Sequence, residues 1–335
     1  MSVSRPPLGA EQPVDERPGT IDAIPVRRPG RIVAGVVAGL IGAMIVAQLI
    51  TNPAFDWAFT FEAMNQRQVI RGFIAGTLLA TVGAMAIGVA LGVALAVMRM
   101  SANPVLRWTS AIYIWFFRAV PRYVLLMILG AAGAFAIGGL GIGIPYDREI
   151  LALFGIDGTM RIATIDLNRF STTVWMAIFG LGLSEAAYMA EIARSGIMSV
   201  DQGQWEAARA LGMSNSETMR RIILPQAMRV IIPPTGNETI AMFKDTSLLS
   251  ALPLANEMFF QIKMIGTATY KLIPSYTGAT LYYVLTATLL GFGQSWLEKR
   301  FGRGYSSSGS QGGARRTKVA VDPNVSALRF AGADH

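Results

Sequence analysis

A long apolar stretch without charge sets the strongest constraint on this chain. No Asp, Glu, Lys or Arg occurs between Phe73 and Met98, and about 20 apolar residues in a helix are enough to cross the hydrocarbon core of a bilayer. Ala84, Gly88 and Gly92 follow one another at four-residue spacing, which lines up small side chains on one helix face and lets a second helix approach closely. We therefore predict a transmembrane helix here, packed on a neighbouring helix.

Five more stretches have the character of membrane spans. The chain is 52% hydrophobic and 15% charged, with a mean hydropathy of +0.43, whereas a soluble domain usually has about a quarter of its residues charged. We predict an all-α integral membrane protein with six spans. The other five are 31–51, a span from Trp108 that contains FFRAVPRYVLL, Ser171–Ile197, Pro225–Lys244 and Tyr276–Leu297.

The two ends of the chain differ in composition from the spans. Residues 1–30 are rich in Pro, Arg and acidic side chains, and residues 304–335 are rich in Ser, Gly and Arg, so we predict a disordered cytoplasmic tail at each end. With the N-terminus inside, 19 of the 29 Lys and Arg residues lie in cytoplasmic segments and seven in external ones, which follows the positive-inside rule. The net charge of +8 therefore reports topology, and no nucleic-acid partner is predicted.

Side chains suited to catalysis are scarce in this sequence. There is no Cys, and the single histidine, His335, is the last residue. A terminal residue is usually poorly ordered, and the spans supply no cluster of His, Cys or paired carboxylates. We predict no catalytic residue and no metal site.

One polar segment, 199–225, interrupts the apolar pattern and predicts two short helices. Ser199 with Gln202, and Ser214 with Glu217, have the spacing of capping boxes. Gly212 separates the two helices, since glycine takes the left-handed conformation that ends a helix. A narrow apolar stripe suited to a groove on another protein is formed by Trp205, Ala208 and Leu211.

This segment resembles the EAA loop of the membrane-spanning subunits of ABC importers. That pattern is Glu-Ala-Ala, three residues, Gly, nine residues, Ile, any residue and Leu-Pro, and it is matched by Glu206, Ala207, Ala208, Gly212, Ile222, Leu224 and Pro225. The resemblance implies a coupling helix that inserts into a cleft of a cytoplasmic ATPase, with Trp205, Glu206, Ala207, Ala208, Leu211 and Gly212 as the ATPase-coupling residues. The alternative is an amphipathic helix that lies on the membrane surface.

The resemblance extends to permeases for polar amino acids over residues 70–303. It rests on GLSEAAYMAEIARSGIMSV before the loop, on IIPPTGNETIAMFKDTSL after it and on RGFIAGTLL in the second span. One departure is RAVPR at 118–122, where the family usually has Arg-Gly-Thr-Pro-Leu. The resemblance implies a MetI-like type I ABC importer domain of five core helices plus one extra N-terminal helix, in a prokaryotic inner membrane.

The resemblance also implies partner chains. The sequence contains no Gly-rich loop ending in Gly-Lys-Ser or Gly-Lys-Thr, so it has no phosphate-binding loop of that kind. ATP and Mg are accordingly expected on separate ATPase subunits, with no cofactor bound by this chain. An extracytoplasmic amino-acid-binding protein and a second permease, identical or a sister subunit, complete the expected assembly.

Polar groups inside the spans indicate the substrate pathway, because placing a polar side chain at that depth costs free energy and is usually kept for a function. Pro233 and Pro234 predict a helix break near Gly236 and Asn237, whose freed backbone groups would receive a carboxylate. Glu185 and Tyr188 share a face of the preceding span and would receive the ammonium group or side chain of an amino acid, and Arg118 in the third span is also assigned to the substrate pathway.

An alternative reading of the same charges remains open. Glu185 could instead pair with Arg118 or Arg122 in a purely structural role. A proton-coupled secondary transporter, with Glu185 carrying the proton, is the second candidate function, although no inverted repeat is evident. At the end of the fifth span the expected external gate, or alternatively a helix cap, consists of Lys244, Asp245, Thr246 and Ser247.

Overall fold

The computed structural model describes residues 29–301, apart from 136–139, 145, 168–169, 171, 253 and 255. Most of both predicted tails, 1–30 and 304–335, lies outside the described residues. The chain divides into two compact units, Met1–Pro53 and Ala54–His335. In its described residues, which begin at Pro29, the first unit contains the helix α1 (Pro29–Thr51), whose side chains are all exposed.

The second unit is built almost entirely from helices. Its first half contains α2 (Trp57–Met64), α3 (Arg67–Gly72), a π-helical turn (Phe73–Leu78), α4 (Leu79–Met100), α5 (Pro104–Ala119), α6 (Arg122–Phe135) and α7 (Asp147–Leu153). Its second half contains α8 (Val174–Met198), α9 (Gln202–Ala210), α10 (Asn215–Thr218), a second π-helical turn (Met219–Ile223), α11 (Leu224–Asp245), α12 (Met258–Thr269) and α13 (Leu272–Phe301).

Among the described residues, three helical stretches are both long and apolar enough to cross a membrane. They are α1, the continuous run Arg67–Met100, and α8. The pair α5 and α6 would form a fourth if it counts as one bent span. Helices α11 and α13 have 22 and 30 residues, long enough to span a bilayer, but they carry more polar side chains.

Helices α4 and α8 form the centre of the second unit. Gly88 faces Glu185, and Gly92 faces Met189, at distances that leave no room for a side chain on either glycine. The predicted small-residue face is therefore confirmed. Gly83 contacts Ile178 near the start of both helices, and the contacts at Gly88 and Gly92 involve residues progressively later in α8. Helices α4 and α8 therefore run parallel.

The third predicted span is broken instead of straight. Helices α5 and α6 meet at an angle of 97°, with Val120 in an extended conformation (φ −81°, ψ 124°). Pro121 explains the break, since the residue before a proline is driven out of the helical region and proline has no N–H to donate. The bend leaves Arg122 as the first residue of α6.

The helix break predicted near Gly236 is wrong. Helix α11 continues through Pro233 and Pro234 to Asp245. A proline at position i removes only the hydrogen bond to the carbonyl four residues earlier, so the acceptors that lose a donor belong to Arg229 and Val230, one turn before the prolines.

A small β ribbon between α6 and α8 was not foreseen. Strands β1 (Leu140–Gly143) and β2 (Arg161–Ile165) pair antiparallel. Asp147, 2% exposed, accepts hydrogen bonds from the Thr159 hydroxyl and the Met160 N–H and pairs with Arg161. The Thr159 hydroxyl, the Met160 N–H and Arg161, in that order, lower the pKa of Asp147 to about 2, against the effect of its burial.

Candidate functional site

The most concentrated group of charges in the described part of the chain surrounds Arg122. Its Nη2 donates to Glu185 Oε2 at 2.8 Å, and its Nη1 donates to Asp245 Oδ2 at 2.5 Å. The Arg122 side chain is 12% exposed and that of Glu185 is fully buried. One cation from α6 therefore joins α8 to the end of α11.

Two further side chains complete this cluster. The Arg122 guanidinium carbon lies 4.8 Å from the centre of the Tyr188 ring, and that of Arg118 lies 5.7 Å from it. Both distances are within the range of cation–π attraction. Of the two arginines that the sequence offered as partners for Glu185, Arg122 forms the ion pair, and Arg118 contacts Tyr188.

One oxygen of Glu185 is left without a partner. Its Oε1 is buried and accepts no hydrogen bond from a described residue, and the Ser184 hydroxyl is likewise buried without a partner. A buried polar atom without a hydrogen bond is costly, typically by about 1–3 kcal/mol. The two atoms are thus available to a water molecule or to a donor on a ligand.

Sequence reasoning missed a third carboxylate, that of Glu238. It lies on α11 within electrostatic range of Glu185 and is half-buried. Its neighbour Asn237, which the sequence placed in the pathway, is exposed and has no described hydrogen bond to the cluster. The sequence contained a signal for Glu238: it follows Pro234 by four residues, and residues four apart lie on the same face of a helix.

Gly236 meets a side chain that sequence reasoning also missed. Gln294, on α13, is 8% exposed and donates from Nε2 to the Pro233 carbonyl at 2.9 Å and to Glu298 Oε1 at 3.0 Å. Its own Oε1 is buried without a partner, and a Cβ on Gly236 would lie 2.1 Å from it. Gly236 therefore serves close packing of α11 against α13.

The four residues predicted to form a gate or a helix cap have different environments in the structure. Asp245 belongs to the Arg122 cluster. Thr246 is fully buried, and its hydroxyl donates to the Phe243 carbonyl at 2.6 Å. Lys244 is exposed in the last turn of α11, and Ser247 is half-buried in a 3₁₀ turn that follows.

The segment 199–225 forms a compact structure at the far end of α8. Gly212 has φ +74°, a conformation that residues with a Cβ adopt at a cost. Ser214 and Glu217 form the predicted capping box. The predicted box at Ser199 and Gln202 is wrong, because the Ser199 hydroxyl donates to Gly196 and the side chain of Asp201 caps α9 by accepting from Gly203.

The three residues of the predicted apolar stripe do not share one environment, since Trp205 and Ala208 pack against the protein and Leu211 is exposed. Trp205 packs against a cluster formed by Val200, Ile223 and Ala227, and Ala208 is 1% exposed. Leu211 is 79% exposed, because α9 ends at Ala210 and Leu211 leaves the helical repeat. The exposed residues of α9 include Glu206, Ala207, Arg209 and Ala210, and Leu211 is exposed just beyond the end of the helix.

Comparison with known proteins gives a family match across most of the second unit. Residues 88–303 match the family described as "Binding-protein-dependent transport system inner membrane component". The arginine transport system permease protein ArgU of Corynebacterium glutamicum is 44% identical over 210 residues, which are 62% of this chain and 60% of that protein. The probable amino-acid ABC transporter permease protein YckA of Bacillus subtilis is 36% identical over 206 residues, covering 62% of this chain and 77% of that protein.

Solved structures agree with this match. The crystal structure of an amino acid ABC transporter with histidines shares 30% identity and a TM-score of 0.53, over 70% of this chain and 94% of that one. A methionine ABC transporter, MetNI, in an inward-facing conformation has the same fold at 20% identity, with a TM-score of 0.50 over 71% of this chain and 97% of that one. The family model covers well over half of the chain, and the chain therefore belongs to the binding-protein-dependent transport system inner membrane components.

Proposed function

We propose that this chain is the transmembrane permease subunit of an ATP-driven, binding-protein-dependent importer of polar amino acids. Hydrolysis of ATP would take place on separate cytoplasmic ATPase subunits, with Mg. A binding protein outside would deliver the amino acid, and a second permease, identical or a sister subunit, would complete the pathway. The chain would lie in the inner membrane of a prokaryote with both termini in the cytoplasm.

The observation that carries this proposal is the EAA-type segment 199–225 beyond α8, which we call the coupling segment. It combines a short exposed helix, a glycine at φ +74° and a capped second helix, all attached to the base of α11 through the cluster around Ile223. Movement of this segment would therefore be transmitted directly to α11. Since α11 carries Asp245 and Glu238, a coupling segment at one end of the helix can alter the charge cluster at the other.

The charges of the cluster favour a cationic amino acid as the substrate. Arg122 pairs with Glu185 and Asp245, Arg118 contacts Tyr188, and a third carboxylate, on Glu238, lies within electrostatic range of Glu185. A site with a surplus carboxylate attracts an additional positive charge. In support, the permease ArgU is named for arginine transport. The substrate's ammonium or guanidinium group would bind at the unpartnered Oε1 of Glu185, and its carboxylate would compete with Asp245 for Arg122.

The proposed function is tested by reconstituting the chain in liposomes with candidate ATPase and binding-protein subunits from the same organism. Uptake of labelled arginine and the binding-protein-stimulated ATP hydrolysis are measured for the wild type and for Gly212→Asp. We expect the variant to lose both activities, because Asp at φ +74° distorts the surface that the ATPase would contact.

A matched control is Gly155→Asp, which introduces the same side chain at φ +69° in the turn after α7, where no atom lies within 4 Å of the new Cβ. This variant should keep the coupling of ATP hydrolysis to uptake. If arginine uptake proceeds without ATP or without the ATPase subunit, the importer proposal is wrong. If Glu185→Gln leaves the affinity for arginine unchanged, the assignment of the cluster to the substrate is wrong, whereas the importer proposal stands.

A further inference from the structure

A cleft lies on the outer face of the Arg67–Met100 helix, away from both the charge cluster and the coupling segment. Its volume is about 470 Å³. Val69 and Gly72, on the opposite side of the same turns, are buried, and a Cβ on Gly72 would lie 3.0 Å from the backbone of Met258 in α12. The cleft itself therefore faces away from the protein, and it is lined by Asn65, Arg67, Ile70, Arg71, Ile74 and Ala75.

The two arginines of this cleft have no anionic partner in the described part of the chain. Arg67 and Arg71 lie one helical turn apart and are both exposed. No described carboxylate forms an ion pair with either guanidinium, although four other basic side chains, Arg122, Arg161, Arg194 and Lys271, are paired. Two adjacent guanidinium groups provide several N–H donors in a geometry that suits phosphate oxygens.

Below the arginines, the same helix presents a continuous apolar stripe. Most of its larger members lie three to five residues apart across the π-helical turn, Val82 and Val89 are seven apart with the exposed Ala86 between them, and each larger member is at least 37% exposed. They are Ile70, Ile74, Leu79, Val82, Val89, Val93 and Val97. A surface that is basic at one end and aliphatic along its length matches the two parts of a phospholipid, the headgroup phosphate and the acyl chains.

The depth of the arginines also agrees with the headgroup region. Arg99 follows Arg71 by 28 residues, which corresponds to about 42 Å of helix. A bilayer measures about 40–45 Å including its headgroups. When Arg99 lies at one surface, Arg71 consequently lies at the level of the phosphates on the other.

We propose that the cleft around Arg67 and Arg71 binds an anionic phospholipid, with the headgroup phosphate between the two guanidinium groups and an acyl chain along the stripe to Val97. These arginines lie on α3, beyond the end of α4 that is opposite Met100. Helix α4 runs parallel to α8, which leads into the coupling segment. If the coupling segment is cytoplasmic, as the proposed function has it, the arginines lie at the outer leaflet. The binding of the lipid does not depend on that orientation.

The test is native mass spectrometry of the full chain in detergent, titrated with phosphatidylglycerol or with phosphatidylcholine, in the absence of ATP and amino acid. We expect the wild type to bind phosphatidylglycerol more tightly than phosphatidylcholine. Arg67→Gln/Arg71→Gln should weaken the binding of phosphatidylglycerol about 25-fold, since each basic residue near an anionic lipid surface contributes about a factor of five.

Two further variants separate charge from folding. Arg148→Gln removes another exposed arginine, on α7, and should bind phosphatidylglycerol as the wild type does. Arg67→Lys/Arg71→Lys keeps both charges and should retain most of the binding. If the Gln variant does not fold, the comparison of the two lipids on the wild type and on the Lys variant decides the question.

Four results would overturn the proposal. Equal binding of the two lipids by the wild type, or unchanged phosphatidylglycerol binding in the Gln variant, would show that the arginines do not form an anionic lipid site. Displacement of the lipid by millimolar glycerol phosphate would indicate a site for free phosphate. Loss of a second permease copy from the Gln variant, with lipid binding intact, would identify the cleft as an interface between copies. All these readouts are independent of transport, so failure here leaves the importer proposal untouched.

Discussion

Gly88 of α4 lies directly against Glu185 of α8, so that a Cβ on Gly88 would come within 2.5 Å of the Glu185 Cγ. The glycine thus sets the position of the carboxylate that Arg122 binds. Because Glu185 is fully buried, its side chain has little space to move aside.

Gly88→Ala should therefore lower the thermal stability of the purified chain and reduce uptake. Overpacking of a tight interface typically costs about 1–3 kcal/mol. Thermal unfolding in detergent, together with arginine uptake in liposomes, measures both effects. Gly291→Ala on α13 is the control, since its new Cβ would meet no atom within 4 Å; equal losses in the two variants would contradict the prediction.

Arg122 and Arg118 should differ sharply in their contributions. Arg122→Gln leaves the buried Glu185 without its counter-ion, and the loss of one partner from a buried pair costs about 3–5 kcal/mol. Arg118→Gln removes the contact with Tyr188, worth about 0.5–1 kcal/mol at an exposed site. Chemical denaturation of the two variants checks the order.

The double variant Arg122→Gln/Glu185→Gln provides the control for this pair. It removes both buried charges and should recover part of the stability lost in Arg122→Gln. Should Arg118→Gln prove as destabilising as Arg122→Gln, the central place of Arg122 in the cluster would have to be abandoned.

Gly236 and Gln294 should show energetic coupling across the α11 and α13 interface. Gly236→Ala brings a methyl group into the Gln294 amide and should destabilise the protein, whereas the same change beside Gln294→Ala should cost less. A double-mutant cycle measures the difference, which for contacting residues is about 0.5–3 kcal/mol. Additive losses would mean that the close approach of the two residues does not exist in the folded protein.

The β ribbon should loosen in acid. The pKa of Asp147 is lowered to about 2 by its hydrogen bonds to Thr159, Met160 and Arg161, compared with about 3.9 for Asp in an unfolded chain. Because the native pKa is lowered, the carboxylate stabilises the ribbon fully above about pH 4, and this contribution is lost as the pH falls towards 2.

Limited proteolysis of residues 140–165 at pH 7 and near pH 2.5, with an acid-active protease at the lower pH, follows this change. Asp147→Asn should be cleaved readily at both values, because its amide no longer pairs with Arg161. Equal protection of the wild type and the variant at pH 7 would refute the role of Asp147.

The elements that the sequence predicted correctly depend on local patterns. The uncharged run Phe73–Met98 and the four-residue spacing of Ala84, Gly88 and Gly92 predict a helix and its packing face without knowledge of the partner. Similarly, the capping box at Ser214 is complete within one helical turn.

The features that were missed depend on contacts between distant residues. Whether Arg118 or Arg122 pairs with Glu185 is decided by the 97° bend at Pro121, whose angle no local pattern specifies. Gln294 is similar, since only the approach of α13 to α11 brings it to Gly236. The two prolines of α11 were misjudged because a well-packed helix tolerates the loss of hydrogen bonds that would break an isolated one.

The parallel course of α4 and α8 restricts how the chain can return between them. A chain that ends α4 at one surface and starts α8 at the other has to pass through the bilayer an odd number of times in between. The ribbon strands have only four and five residues, whereas a membrane-spanning strand needs about nine, so the passage falls to α5 and α6. The odd number of crossings therefore has to be made in the part of the chain that contains the 97° bend at Pro121, so this bend and the start of α6 at Arg122 belong to the return between two parallel helices.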